Sequence, residues 1–385
     1  MVKTKNKRMK KWIVTIAVVT TILASAVAFS SVHVGAETLS ITDDFGRNVT
    51  IHGVPERIIS LSPTNTEILF AIGAGDRVVG VTEYCNYPAE TEEREKVGGV
   101  STVSIEKVVA LEPDLVLGDE LNGKETIERL TELNVTVVSL NPVNVSEILD
   151  GILLVGTITG EEENATALVA NMTQRMEEIK NKTRDVKRPT VAHITWHDPI
   201  WVAGNATVQD ELIEIAGGDN AFFDIDDWGT VNLEVFIDKN PDVIIVSVGH
   251  GVVGMQSYDY ILGEERLKVV DAVKNDRVYA IDADVISRAG PRIANATETV
   301  YGHLCEFFNI TEEVPTATPS TTITPATSPT PTAAPSPTST PTVTPTLTPT
   351  PTATPESSGF EAVVAVVGLL AITYLLRRNG SRKNK

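Results

Sequence analysis

The chain has 385 residues, 42% of them hydrophobic and 22% charged, which is enough for more than one globular unit with a sizeable core. Its 51 Asp and Glu against 32 Lys and Arg give a formal charge of −19 and exclude a nucleic-acid surface. Two cysteines exclude a disulfide-built scaffold.

The chain opens on an address. Lys3, Lys5, Lys7, Arg8, Lys10 and Lys11 precede an apolar run from Trp12 to Phe29, and Val34-Gly35-Ala36 offers small residues for cleavage before Glu37. Residues 1–36 therefore read as a secretory signal peptide. No Cys stands near the cut, so a lipid thioether is excluded and a different tether is needed. Setting aside six basic residues here, and five with Glu361 at the far end, leaves 21 Lys and Arg against 50 acids, a charge of about −30 on the exported part. Such a surface suits a partner with basic pockets; a generally soluble acidic surface is the plainer reading.

Next, residues 37–145 alternate short β-branched runs with helical patterns, the mark of a parallel sheet covered by helices. Strands are expected at Arg57–Leu61, Val78–Val81, Asp114–Leu117 and Val135–Leu140. Across 146–186 there is no strand signal and no proline. Ile148, Leu149, Ile152, Val155, Ile158, Leu168, Met172, Met176 and Ile179 predict one long linking helix, with a break near Gly160 the alternative. The alternation resumes over 187–312, with strands at Thr190–Thr195, Val243–Val248 and Arg277–Ile281 and a closing helix over Pro291–Phe308. A stalk of Thr, Pro, Ser and Ala occupies 313–358; such a composition cannot bury a core, and extended it spans on the order of 100 Å. Residues 359–385 end the chain with an apolar segment to Leu376 followed by Arg377, Arg378, Arg382, Lys383 and Lys385, which predicts a membrane anchor with an inner basic tail. Asn-x-Ser/Thr sequons at Asn48, Asn134, Asn144, Asn164, Asn171, Asn181, Asn205, Asn295 and Asn309 fit an exported glycoprotein.

An internal echo carries the fold reading. Ser104 to Leu117 reappears in pattern as Asn232 to Ile245, each with a Ser or Asn cap, a glutamate (Glu106, Glu234), then Pro-Asp and a buried strand. One copy precedes the linking helix and one follows it. The sequence thus predicts an α/β protein of two lobes with parallel-type sheets, joined by one long backbone helix, with a ligand cleft between them.

No enzyme signature accompanies this frame. Gly73-Ala74-Gly75 lacks the third glycine of a dinucleotide loop, and neither a Gly-x-Ser-x-Gly elbow nor a phosphate-binding loop occurs. His193, His197 and Asp198 are the nearest approach to a metal set, but residues four apart on a strand are well separated, so core and loop histidines are the favoured reading. Aromatic residues are only 5% of the chain, yet Tyr84 and Tyr87 fall in one loop and Trp196, Trp201, Phe222, Phe223 and Trp228 in one stretch. Rings of this kind cover planar or macrocyclic ligands, although some fill the core, Phe222 above all. Arg288 and Arg292 flank Ala289-Gly290-Pro291 and would hold an anionic or amide edge, or simply cap a helix. Cys85 and Cys305 read as a buried thiol and a loop thiol, or as one bridge.

The run Arg57 to Leu69, with Tyr84-Cys85-Asn86-Tyr87-Pro88, the Glu106 block, Gly217-Gly218-Asp219-Asn220 and Arg288-Ala289-Gly290-Pro291-Arg292, resembles the helical-backbone solute-binding proteins for cobalamin and iron-siderophores. The cobalamin branch is the nearest, and the likeness spans Leu39 to Phe308. It implies a non-enzymatic receptor without a cofactor, whose ligand is a corrinoid or an iron chelate and whose partner is the permease dimer of an ABC importer. It implies docking of Glu106 and Glu234 on permease arginines, and ligand contacts at Tyr84, Trp228, Asp284 and Arg288, to which the aromatic cluster adds Trp196. Val103 stands where that branch has a stacking tryptophan, and Ala216 where it has a cysteine partner for Cys305, so that bridge is expected absent. Gly359-Phe360, the apolar segment and the arginines resemble an archaeal C-terminal sorting signal, with Ser358 in place of proline; an intact single span is the alternative. The expectation is an exported receptor held on the outer face of the membrane. An adhesin and a metalloenzyme on His193, His197 and Asp198 are the competing classes.

Overall fold

The computed structural model describes residues 38–249 and 255–308. The signal peptide, stalk, anchor and Asn309 lie outside those residues. A hairpin of β1 (Thr38–Thr42) and β2 (Asn48–His52) leads the chain, antiparallel with Thr38 opposite His52. Its turn is held by Asp43, whose carboxylate accepts from the backbone N–H groups of Phe45, Arg47 and Ser139 and pairs with the Arg47 guanidinium. The sequence reading has no counterpart for this hairpin.

The first lobe is a five-stranded, wholly parallel sheet of β3 (Ile58–Ser60), β4 (Val78–Val81), β5 (Glu95–Lys96), β6 (Leu115–Gly118) and β7 (Val137–Ser139), in the order β5-β4-β3-β6-β7. Helices α1 (Pro63–Ala71), α2 (Ile105–Ala110) and α3 (Lys124–Glu132) cover it. Because strand side chains alternate, Ile58, Leu115, Leu117 and Val138 feed one core while Ile59, Val116 and Val137 feed another.

The linker is two helices, α4 (Val145–Thr159) and α5 (Glu162–Lys182), in place of the single rod. Gly160 takes φ +71 and ends α4 in the left-handed conformation that favours glycine. α4 starts beside the second lobe, where the Val145 N–H donates to Glu211, and ends at the first, where Arg77 donates to the Thr159 carbonyl. α5 makes the crossing. Its first turn is fixed to the first lobe by Asn164 donating to the Ile72 carbonyl, and further along Arg175 pairs with Glu298 of the last helix. Twenty-one residues give it a length of about 32 Å.

The second lobe contains β8 (Thr190–His197), β9 (Ile200–Ala203), β10 (Asp219–Asn220), β11 (Trp228–Val231), β12 (Val243–Val248) and β13 (Val278–Asp282), in the order β11-β9-β8-β12-β13 with β10 beside the start of β8. Here β8, β12 and β13 form the expected parallel core, and an antiparallel extension is added to it. β8 and β9 form an antiparallel hairpin across Asp198-Pro199, and β11 adds to β9 antiparallel. Around it lie α6 (Val208–Ile215), α7 (Leu233–Lys239), α8 (Gln256–Gly263), α9 (Asp271–Lys274), α10 (Ala283–Ser287) and α11 (Ile293–Phe308).

The echo is structural. Ser104 and Asn232 cap α2 and α7, accepting from Lys107 N at 3.3 Å and Val235 N at 2.9 Å. Asp114 accepts from Arg57 N at the entry to β3, and Asp242 accepts from Thr190 N at the entry to β8. Glu112 and Asn240, two residues before those aspartates, both take positive φ, 47° and 41°. The two copies therefore perform the same stitch in the two lobes. Cys85, in the loop after β4, and Cys305, in α11, are both buried and neither forms a disulfide, so the alternative of one bridge is corrected. Ala216 is fully buried in the same core as Cys305.

The joint between α4 and α5 is tight: a Cβ on Gly156 would fall 2.4 Å from that of Ala165. Gly156→Ala, a change that ordinarily favours a helix, is therefore expected to lower stability here by about 1–3 kcal/mol, read from denaturant unfolding.

Candidate functional site

A cavity of about 460 Å³ lies between the lobes. Its first-lobe wall is made by segments leaving strands: Ser62, Thr64 and Asn65 after β3, Asp119 to Leu121 after β6, and Leu140 to Val143 after β7. Parallel strands deliver their loops to one end of a sheet, so this clustering follows from the topology. The second lobe contributes Thr195 and Trp201 of the β8–β9 hairpin, Ala206 to Gln209 at the start of α6, and Asp227 with Trp228. Ser287 and Ala289 close it.

Most polar groups here are held in place by the fold. Asn65 donates to the Gly118 carbonyl at 2.9 Å, and Gln209 donates to the Ile286 carbonyl at 2.8 Å. Asp119 accepts from Leu121 N, while its own N–H donates to Asn122 Oδ1. Burial pushes the Asp119 carboxyl up to about 6, against the opposing hydrogen bond from Ser62.

Of the sequence-predicted ligand residues, Trp228 lines the cavity. Trp196 does not; it sits at the hairpin, its Nε1 donating to the Asp198 carbonyl at 2.8 Å and its ring 4.7 Å from that of His197. Trp201, which the aromatic cluster included, takes the wall position instead. Tyr84 is 38% exposed outside the lining, and its carbonyl accepts from Arg288. Arg288 and Asp284 belong to a network that joins the lobes. Arg288 lies between the lining residues Ser287 and Ala289, but its guanidinium reaches Glu67 at 2.8 Å, Asp284 at 2.9 Å and Asn86 at 2.8 Å. Arg292 pairs with the same Glu67 at 2.6 Å and stacks over the Tyr87 ring at 4.4 Å. Glu67 is 2% exposed and comes from α1, so one lobe's carboxylate is held by two guanidiniums of the other. The sequence reading did not single out Glu67; a glutamate directly before the apolar Ile68-Leu69-Phe70 was its one signal.

Glu106 and Glu234 are exposed, each the second residue of its helix, beside the capping residue. The three residues of the metal alternative have separate partners. His193 is fully buried and bonded to Ser247 at 2.9 Å, His197 reaches Ser257 at 3.1 Å, and Asp198 turns the hairpin. Among the described residues no group of three or more His, Cys, Asp or Glu is placed to hold a metal ion.

A family model described as periplasmic binding protein matches residues 58–285, more than half of the chain. The chain belongs to the periplasmic binding protein family. It is 32% identical over 268 residues to an ABC transporter substrate-binding lipoprotein of Bacillus subtilis, covering 68% of this chain and 83% of that one. The periplasmic vitamin B12 binding protein of Vibrio cholerae superposes with a TM-score of 0.56 at 28% identity, over 65% of this chain and 96% of that one. A periplasmic heme-binding protein from Roseiflexus sp. RS-1 gives 0.59 at 29% identity, over 65% and 98%. This periplasmic binding protein is accordingly a solute receptor of the ABC-importer type and not an enzyme. A PGF-CTERM motif at residues 359–379 marks it as surface-anchored outside the cell. Among the described residues no helix is long and apolar enough to cross a membrane.

His193 supplies a test of the receptor's interior. Burial pulls its imidazole from 6.5 down to about 4. Below pH 6.5 the unfolded chain takes up a proton that the fold refuses, so stability falls as pH drops from 6.5 to 4 and this contribution levels off below. The loss is about 3 kcal/mol. His193→Gln is expected to flatten that segment of a plot of unfolding free energy against pH; the opposite contribution of Asp119 is common to both proteins and cancels in the difference.

Proposed function

We propose that this receptor captures a corrinoid in the interlobe cavity and delivers it to the permease dimer of an ABC importer, docking through Glu106 and Glu234. The observation that carries the reading is the wall chemistry: two indole rings, Trp201 and Trp228, with the neutral polar side chains of Ser62, Thr64, Asn65, Asn141, Thr207 and Gln209 around them. Rings suit a flat macrocycle, and neutral donors and acceptors suit an amide fringe. The vitamin B12 binding protein among the similar structures supports this choice. Haem or an iron chelate is the second reading, supported by the heme-binding neighbour. Among the described residues no His, Tyr, Met or Cys lines the cavity to serve as an axial haem ligand. Docking is supported by the matched caps that present the two exposed glutamates at helix starts. The signal peptide, the stalk and the anchor complete the proposal, with the receptor held away from the membrane on its outer side and its sequons open to glycan attachment.

Titration calorimetry of the exported chain with cobalamin, haemin and a ferric hydroxamate tests the ligand. Cobalamin is expected to bind best, and Trp228→Ala to weaken it by about ten- to a hundredfold. Preference for haemin would sink the corrinoid reading. In whole-cell uptake, Glu106→Ala with Glu234→Ala is expected to slow import roughly tenfold or more with ligand affinity intact. Equal loss of affinity would remove the docking role.

A further inference from the structure

We infer that the cavity sorts chelates by the charge and hydrogen-bonding sense of their rim, accepting N–H-bearing neutral or cationic ligands and rejecting carboxylate-bearing ones. The inference deepens the reading above and rests on the cavity being the ligand site.

Among the described residues three carboxylates line the cavity, Asp119 and Glu120 from the first lobe and Asp227 from the second, and no Lys, Arg or His does. Asp119 and Glu120 are engaged by neutral groups, which leave their charge in place: Asp119 accepts from Leu121 N at 2.9 Å, and Glu120 from Asn141 Nδ2 at 3.0 Å. Arg288 and Arg292 stand behind the wall on Glu67 and Asp284.

A second observation points the same way. Asn65 is 1% exposed and lines the cavity; its amide nitrogen is spent on the Gly118 carbonyl, while its Oδ1 has no hydrogen-bond partner among the described residues. A buried acceptor without a donor is costly, and a ligand N–H arriving there would remove the cost. A carboxylate rim brings only acceptors and negative charge to this wall, where it meets like charge. A primary-amide rim brings donors.

The test compares rims on one macrocycle. Cobalamin is titrated against cobalamin with a peripheral amide hydrolysed to the acid, and haemin against its dimethyl ester. The full exported chain and its triple variant Asp119→Asn, Glu120→Gln, Asp227→Asn are both used. The unaltered chain is expected to prefer the uncharged rim by about tenfold or more, and the triple variant to bring the ratio near one. A ratio near one in the unaltered chain, or a preference that survives neutralisation, overturns the inference while leaving corrinoid capture standing. Binding of haemin esters and no corrinoid sinks the corrinoid reading, yet the acid-to-ester ratio still judges the charge rule. Binding of neither macrocycle overturns both.

Discussion

One hydrophobic cluster runs through the whole receptor. It includes Ile58 and Leu115 of the first lobe, Ile152, Met172 and Ile179 of the linking helices, and Val191, Val243 and Leu304 of the second. α5 passes through it with each end fixed to a different lobe, so the lobes share an interior instead of meeting as separate bodies. Swinging one lobe away would expose apolar surface at roughly 25 cal/mol per Å², which sets the cleft nearly rigid. The Glu67 network adds to this, since removing one partner of a buried ion pair costs about 3–5 kcal/mol. The cavity between the lobes is therefore a property of the core, shaped before any ligand arrives.

Much of that frame was legible in the sequence. Strand alternation gave β3, β4, β6, β7, β8, β12 and β13, because a parallel strand buried on both faces leaves an unbroken β-branched run such as Val243 to Val248. The echo worked because its Ser or Asn cap and its Pro-Asp stitch each have a local hydrogen-bonding job that only a few residue types can do. What was lost is what local pattern does not encode. β9 and β11 are four residues each, with Trp-Gly-Thr-Val carrying no clear period, and their pairing depends on a hairpin turned at Asp198-Pro199. The linker's apolar spacing is the same for one helix as for two, and of the two readings the break near Gly160 is the one the structure adopts.

The site was legible by residue type more than by residue. Aromatic clustering marked the correct stretch, yet Trp201 and Trp228 face the cavity while Trp196 closes a hairpin, a distinction made by strand pairing. The family resemblance implies ligand contacts at Arg288 and Asp284, and the structure shows both engaged in an ion-pair network. Their partner Glu67 lies 221 residues from Arg288, and nothing short of the tertiary structure brings them together. The two exposed glutamates at helix starts are the reverse case, conspicuous in sequence through repetition alone.

The position of Glu67 has a consequence for the order of folding. Its carboxylate lies near the start of the folded body, whereas Arg288 and Arg292 stand between α10 and α11, close to its end. Until that late segment packs on, burying the acid is unfavourable, so α1 gains its cover only once both ends of the folded body have come together.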